Sequence, residues 1–121
     1  MRRLIAALLV TATAALQQAG AQQQAGAQEP DAKALYSEQC KKCHGVLGTP
    51  PRTMQKKYPK IATFDEKFLE KHSEDSIVKV LTKGKGEDME PFKDKLLPAE
   101  MAAVARYVRE LAAKKKPESE H

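Results

Sequence analysis

Cys40-Lys41-Lys42-Cys43-His44 carries both cysteines of the chain and one of its three histidines. Residues three and four apart share one face of a helix. Cys40, Cys43 and His44 can therefore all meet one flat group. Three chemistries use cysteines at this spacing. They are a redox dithiol, a zinc site, and an attachment in which two thiols add to the vinyl groups of a porphyrin while the histidine binds iron.

The surrounding sequence separates them. Four-ligand zinc needs partners nearby, and His72 and His121 are isolated in the sequence. A disulfide between neighbours three apart closes a very small loop and stabilises little. A thioredoxin-like dithiol needs a preceding strand in a βαβ unit, and no such pattern is present. Covalent attachment of one haem remains, with its iron as the metal.

Upstream, Arg2 and Arg3 are followed by an apolar, uncharged run from Leu4 to Leu16 and then by small residues. This is the layout of a secretory signal peptide over 1–21. The run is short for a membrane span. Gln17–Gln22 reads QQAGAQ and Gln23–Gln28 repeats it, so an A-x-A cleavage site ends at Ala21 or at Ala27. The polar repeat has nothing to bury, and 22–30 reads as a disordered leader. Residues 31–116 form the expected domain, and 117–121 a flexible tail. Export predicts a periplasmic protein with no stable membrane insertion once processed.

The chain has 121 residues, 21 basic and 16 acidic side chains, and a formal charge of +5. Without Arg2 and Arg3, 19 basic residues face 16 acidic ones. That balance is too mild to indicate nucleic acid as a partner.

Periodicity predicts an all-α domain. Asp31 to His44 reads as a helix capped by Asp31, and Gly45, Gly48, Pro50 and Pro51 end it. Arg52 to Ala62 shows no clear period, and Pro59 disfavours helix at Tyr58. Phe64, Phe68 and Leu69 suggest a short helix, and Ser73 caps another that ends at Lys83–Gly84. Gly84 to Leu96 is a loop with Met89, Pro91 and Phe92. Pro98 opens a last helix to about Lys114, with Met101, Val104, Ala105, Val108 and Leu111 in one stripe. Leu97 is a poor cap for it. So few apolar residues make a small core, and a covalent, flat, apolar ring would supply its centre.

In order along the chain come Tyr36 four residues before Cys40, CKKCH with Gly45, Pro59-Lys60-Ile61, then GKGEDMEPF, then a helix with YVREL. With these motifs the chain resembles a class I cytochrome c from about Asp31 to Leu111. The resemblance implies a cytochrome c-like fold, about four short helices wrapped around one covalent haem with long loops. It implies that Cys40 and Cys43 carry the thioethers, His44 is the proximal iron ligand and Met89 the distal one. It implies that the Pro59 carbonyl accepts the His44 Nδ1 proton, that Ile61 and Phe92 line the haem, and that Ala32 and Tyr36 cross the last helix near Tyr107. The sequence departs from the family pattern twice. Ala32 stands where glycine is usual, and Glu90 separates Met89 from Pro91.

Met54, Met101 and His72 compete with Met89 for the distal position. Met101 lies on the core stripe, and His72 sits among charged residues. A thioether ligand raises the potential relative to a second histidine and fills the sixth position. That combination implies one-electron transfer between redox partners rather than catalysis. Lys41, Lys42, Lys56, Lys57, Lys60, Lys83, Lys85, Lys93 and Lys95 would approach the haem edge in this fold and suit partners with acidic docking surfaces. Read as ordinary solvated side chains, they would do nothing of the kind. The expected protein is a monomeric, monohaem periplasmic electron carrier. The alternatives are the haem subunit or dedicated electron acceptor of a periplasmic oxidising enzyme, and a ligand-binding haem protein.

Overall fold

A computed structural model describes residues 29–115. The expected signal peptide, most of the expected leader and the tail beyond Lys115 lie outside the described residues.

Six helices follow one another: α1 Ala32–Gln39, α2 Lys41–His44, α3 Arg52–Lys57, α4 Glu66–Lys71, α5 Glu74–Lys83 and α6 Pro98–Ala113. Among the described residues the one strand-like pairing is an antiparallel bridge between Lys85 and Met89.

The Asp31 carboxylate accepts from the Ala34 N–H at 3.0 Å and caps α1. The helix expected to run on to His44 breaks at Cys40, whose φ is −122°. The His44 N–H still bonds the Cys40 carbonyl at 2.9 Å, so α2 restarts as a single turn. Helix α3 was not expected. Its six residues are too few to display a period, but Pro51 leads the chain into it and Pro59 stops it after Tyr58. The Gln55 side chain closes the turn by donating to the Pro50 carbonyl at 2.7 Å.

The next two helices are capped by side chains, at Ser73 as expected and also at Asp65. The Asp65 carboxylate accepts from Phe68 N–H at 2.9 Å, and Ser73 Oγ accepts from Ser76 N–H at 3.2 Å. Helix α6 overcomes its poor cap. Glu100 Oε1 reaches back to the Leu97 N–H at 2.8 Å and satisfies a donor that leucine cannot.

Helix α6 is the spine. Met101, Ala103, Val104, Ala105, Val108, Leu111 and Ala112 are buried on it. Small residues let α1 approach closely, and the Tyr36 and Tyr107 rings meet at 5.3 Å between centroids. The expected crossing of the first and last helices is therefore seen, with Ala32 half-buried. Arg109 on α6 donates to the carbonyls of Leu69 and His72, which ties the end of α4 to the spine. No helix of the described residues is long and apolar enough to cross a membrane.

Candidate haem site

A cavity of about 680 Å³ opens into the core. That lies within the range of roughly 300–1,000 Å³ common for cofactor sites. Cys40, Cys43 and His44 line it from α2 and its start, and Met89 lines it from the loop after α5. Leu81, Val104, Val108 and Phe92 supply much of its apolar wall.

The two thiols are free. Burial, and then the neighbouring Cys43, push the Cys40 thiol up to about 11. It is therefore a neutral thiol in this pocket. His44 is half-buried, and desolvation holds its imidazole below its ordinary value. A neutral imidazole is the form that binds iron.

His44 Nδ1 lies 3.4 Å from the Ala62 carbonyl oxygen. A carbonyl can only accept, so this contact assigns the proton to Nδ1 and leaves the Nε2 lone pair available. The expected carbonyl was that of Pro59, and this is corrected. Pro59 does not line the cavity, and the chain turns at Tyr58–Ile61, where the Ile61 N–H bonds the Tyr58 carbonyl at 2.9 Å. That turn brings the carbonyl three residues later to the imidazole. The Phe64 ring stacks on His44 at 4.8 Å and 17°.

Two bonds hold the motif from behind. The Tyr36 hydroxyl donates to the Gly45 carbonyl at 2.6 Å. The Phe64 N–H donates to the Gly48 carbonyl at 2.8 Å. Gly45 has φ +80°, and a Cβ there would stand 2.0 Å from the Thr49 oxygen. Only glycine fits where the chain leaves α2.

Met89 sits in a small closed loop. Lys85 N–H donates to the Met89 carbonyl at 2.8 Å, and Met89 N–H to the Lys85 carbonyl at 3.3 Å. Gly84 permits this closure, since a Cβ on it would lie 2.5 Å from the Met89 oxygen. Glu90, the residue inserted before Pro91, pairs with Lys95 at 2.8 Å at the cavity wall. Its insertion leaves Met89 half-buried against the cavity.

The remaining expectations divide. Ile61 and Phe92 both line the cavity. Met54 does not. Met101 is buried in the core, with the Thr82 hydroxyl 3.8 Å from its sulfur. His72, expected among solvated charges, is half-buried and lines the cavity. Ala62, Phe64 and Tyr36 were missed as site residues. A backbone acceptor leaves no mark in sequence, while Tyr36 and Phe64 were visible only as helix and core positions.

The donor set fits a covalently held haem: two thiols, one oriented imidazole and one thioether around an apolar slot. Comparison with known proteins agrees. Residues 27–108 match the family described as cytochrome C oxidase, cbb3-type, subunit III. The solved structure of the KustC0563 c-type cytochrome is 34% identical, over 69% of this chain and 99% of its own, with a TM-score of 0.63. A structure of a tyrosine-to-phenylalanine mutant of Kustc0563 is 34% identical, over 68% of this chain and 99% of its own, with a TM-score of 0.61. No curated protein matches the chain. With the attachment motif, the cavity and the family match in agreement, the chain belongs to the c-type cytochromes, in the family described as cytochrome C oxidase, cbb3-type, subunit III, and is an electron-carrying protein with covalently bound haem c and its iron.

Proposed function

We propose that this chain is a monohaem electron shuttle of the bacterial periplasm, with Cys40 and Cys43 as thioether anchors and with His44 and Met89 as axial ligands. The observation that carries this reading is that all four side chains line one cavity. Bound there, the haem supplies a one-electron ferrous–ferric couple.

The chain's own residues explain why such a couple would be used for transfer and not catalysis. The Ala62 carbonyl fixes the tautomer and orientation of His44. The Lys85–Met89 bonds hold the Met89 thioether in a closed loop, from which it would serve with His44 as a ligand to the haem iron. Thioether ligation favours the ferrous state relative to a second imidazole. Leu81, Val104, Val108 and Phe92 keep water from the interior, which limits reorganisation on electron transfer.

The nine lysines named above are all exposed, and Lys60, Lys85 and Lys95 lie on the cavity wall. We propose that they steer partners with acidic docking surfaces, speeding encounter at low salt. The basic start and apolar run of residues 2–16 support export.

A second reading follows from the family description, which names an oxidase subunit. In it the chain is a haem subunit of a larger oxidising complex. Isolation from the native source separates the two: a free shuttle elutes as a monomer, a subunit with its enzyme. The electron-carrier reading itself is tested by denaturing mass spectrometry and voltammetry of the processed protein. One covalently retained haem and a reversible one-electron wave are expected. Loss of the haem on denaturation would refute the covalent anchors, and an irreversible wave the carrier role.

A further inference from the structure

His72 has no part in the proposed ligand set, yet it lines the same cavity as His44 and Met89. It is placed there deliberately by the fold. Its ring packs on Phe68 at 4.5 Å, and Phe68 packs on Phe64, which stacks on His44. Its backbone carbonyl accepts from Arg109 of α6. The side chain therefore stands on a fixed stem at the wall of a low-polarity pocket.

The charged groups around it are cationic on several sides. Lys71 precedes it on α4, Lys85 faces it from the loop after α5, and Arg109 holds it from α6. On α5, Glu74 bonds Arg106 at 3.3 Å. Asp88, Glu90 and Lys60 also line the cavity, with Glu90 engaged by Lys95. Other than His44, His72 is the one histidine among the residues that line the cavity, and imidazole is the side chain whose ordinary pKa lies close to neutral pH.

We propose that His72 is a proton-exchanging residue of this cavity that couples the reduction potential to pH. The proposal rests on the haem-cavity reading above. When the protein is oxidised, one electron leaves for an external redox partner and the cavity gains one positive charge. An imidazolium on its wall then holds its proton less tightly. The ring N–H bond breaks, the proton goes to water, and neutral imidazole remains. On reduction both steps reverse. Burial, then Lys85 and Lys71, hold the His72 imidazole below its ordinary value.

The sign follows. The reduced protein binds the proton more tightly, so the potential is highest at low pH. It falls as pH rises through the two pKa values and is flat above them. One unit charge acting across a partly solvated pocket should change the proton affinity about three- to tenfold. Tenfold corresponds to about 59 mV in a one-electron couple.

Two measurements on the processed holoprotein test this. The midpoint potential is titrated from pH 4.5 to 8.5 in wild type and His72→Gln, and the His72 imidazole is titrated by NMR in the wild-type ferrous and ferric states. The expected results are a pH-dependent step that His72→Gln abolishes, and a His72 pKa lower in the ferric state. A step that survives the substitution belongs to another group, such as a haem carboxyl, and overturns the proposal. Equal His72 pKa values in the two states overturn it without reliance on the variant. A reversible but pH-independent wave would refute this coupling alone, whereas an irreversible wave would refute the carrier reading beneath it.

Discussion

Tyr36 is 1% exposed, and its hydroxyl reaches the Gly45 carbonyl at 2.6 Å, where the chain leaves the attachment motif. Removing the hydroxyl leaves a buried acceptor without its partner, which costs about 1–3 kcal/mol. Tyr36→Phe should therefore lower the unfolding free energy of the holoprotein by that amount, read as a lower denaturant midpoint with an unchanged slope. An unchanged midpoint would show that the bond contributes nothing. At this scale the sequence was most legible where side chains carry the chemistry. Cys40, Cys43, His44 and Met89 were readable because their types and order have few other uses. The partner of His44 was not, because it is a main-chain oxygen. The chain turns once more than the Pro59 pattern implies, and Ala62 takes the place expected of Pro59. His72 was misplaced for a related reason. Its charged neighbours in sequence suggest solvent, while its Phe68 contact and Arg109 anchor come from tertiary structure.

The elements divide in the same way. Helices α4, α5 and α6 were legible from caps and stripes, and α3 was too short to be. The break between α1 and α2 hides inside an unbroken helical pattern, because the bonds on both sides of Cys40 are ordinary helical ones. Helix α6 makes a direct prediction. Leu97 gives it no cap, and the Glu100 carboxylate takes over the Leu97 N–H at 2.8 Å. Glu100→Ala should destabilise the protein by about 0.5–1 kcal/mol, since it removes half of a capping arrangement. Thermal unfolding of the holoprotein measures this, and an unchanged Tm would contradict the assigned role. The exit from α2 is stricter. Gly45→Ala adds a Cβ into the Thr49 oxygen at a positive φ, so the attachment motif should be displaced and the yield of haem-loaded protein should fall. Normal loading would show that the turn has slack.

Taken whole, the molecule has a small core around a large slot. Among the described residues, fourteen buried hydrophobic residues form that core and no polar or charged residue is buried with them. Without its ring the chain would leave the apolar wall of Leu81, Val104, Val108 and Phe92 without packing partners on one side. A Cys40→Ser, Cys43→Ser chain produced without haem should therefore lack fixed tertiary structure, seen as weak near-UV dichroism. A native-like near-UV spectrum would contradict that account. The docking role proposed for the exposed lysines belongs to the same scale. Lys42→Glu with Lys85→Glu should slow electron exchange with an acidic redox partner at low salt, and the difference should shrink as salt rises. An unchanged rate at low salt would remove the docking role.

The central claim is that His44 and Met89 close one six-coordinate centre. It is tested most directly by the optical spectrum of the ferric protein, read for the weak charge-transfer band of methionine sulfur on iron. The band should be present in wild type and in Met54→Ala and absent in Met89→Ala. A band that survives Met89→Ala, or a wild-type protein without one, would contradict the assignment.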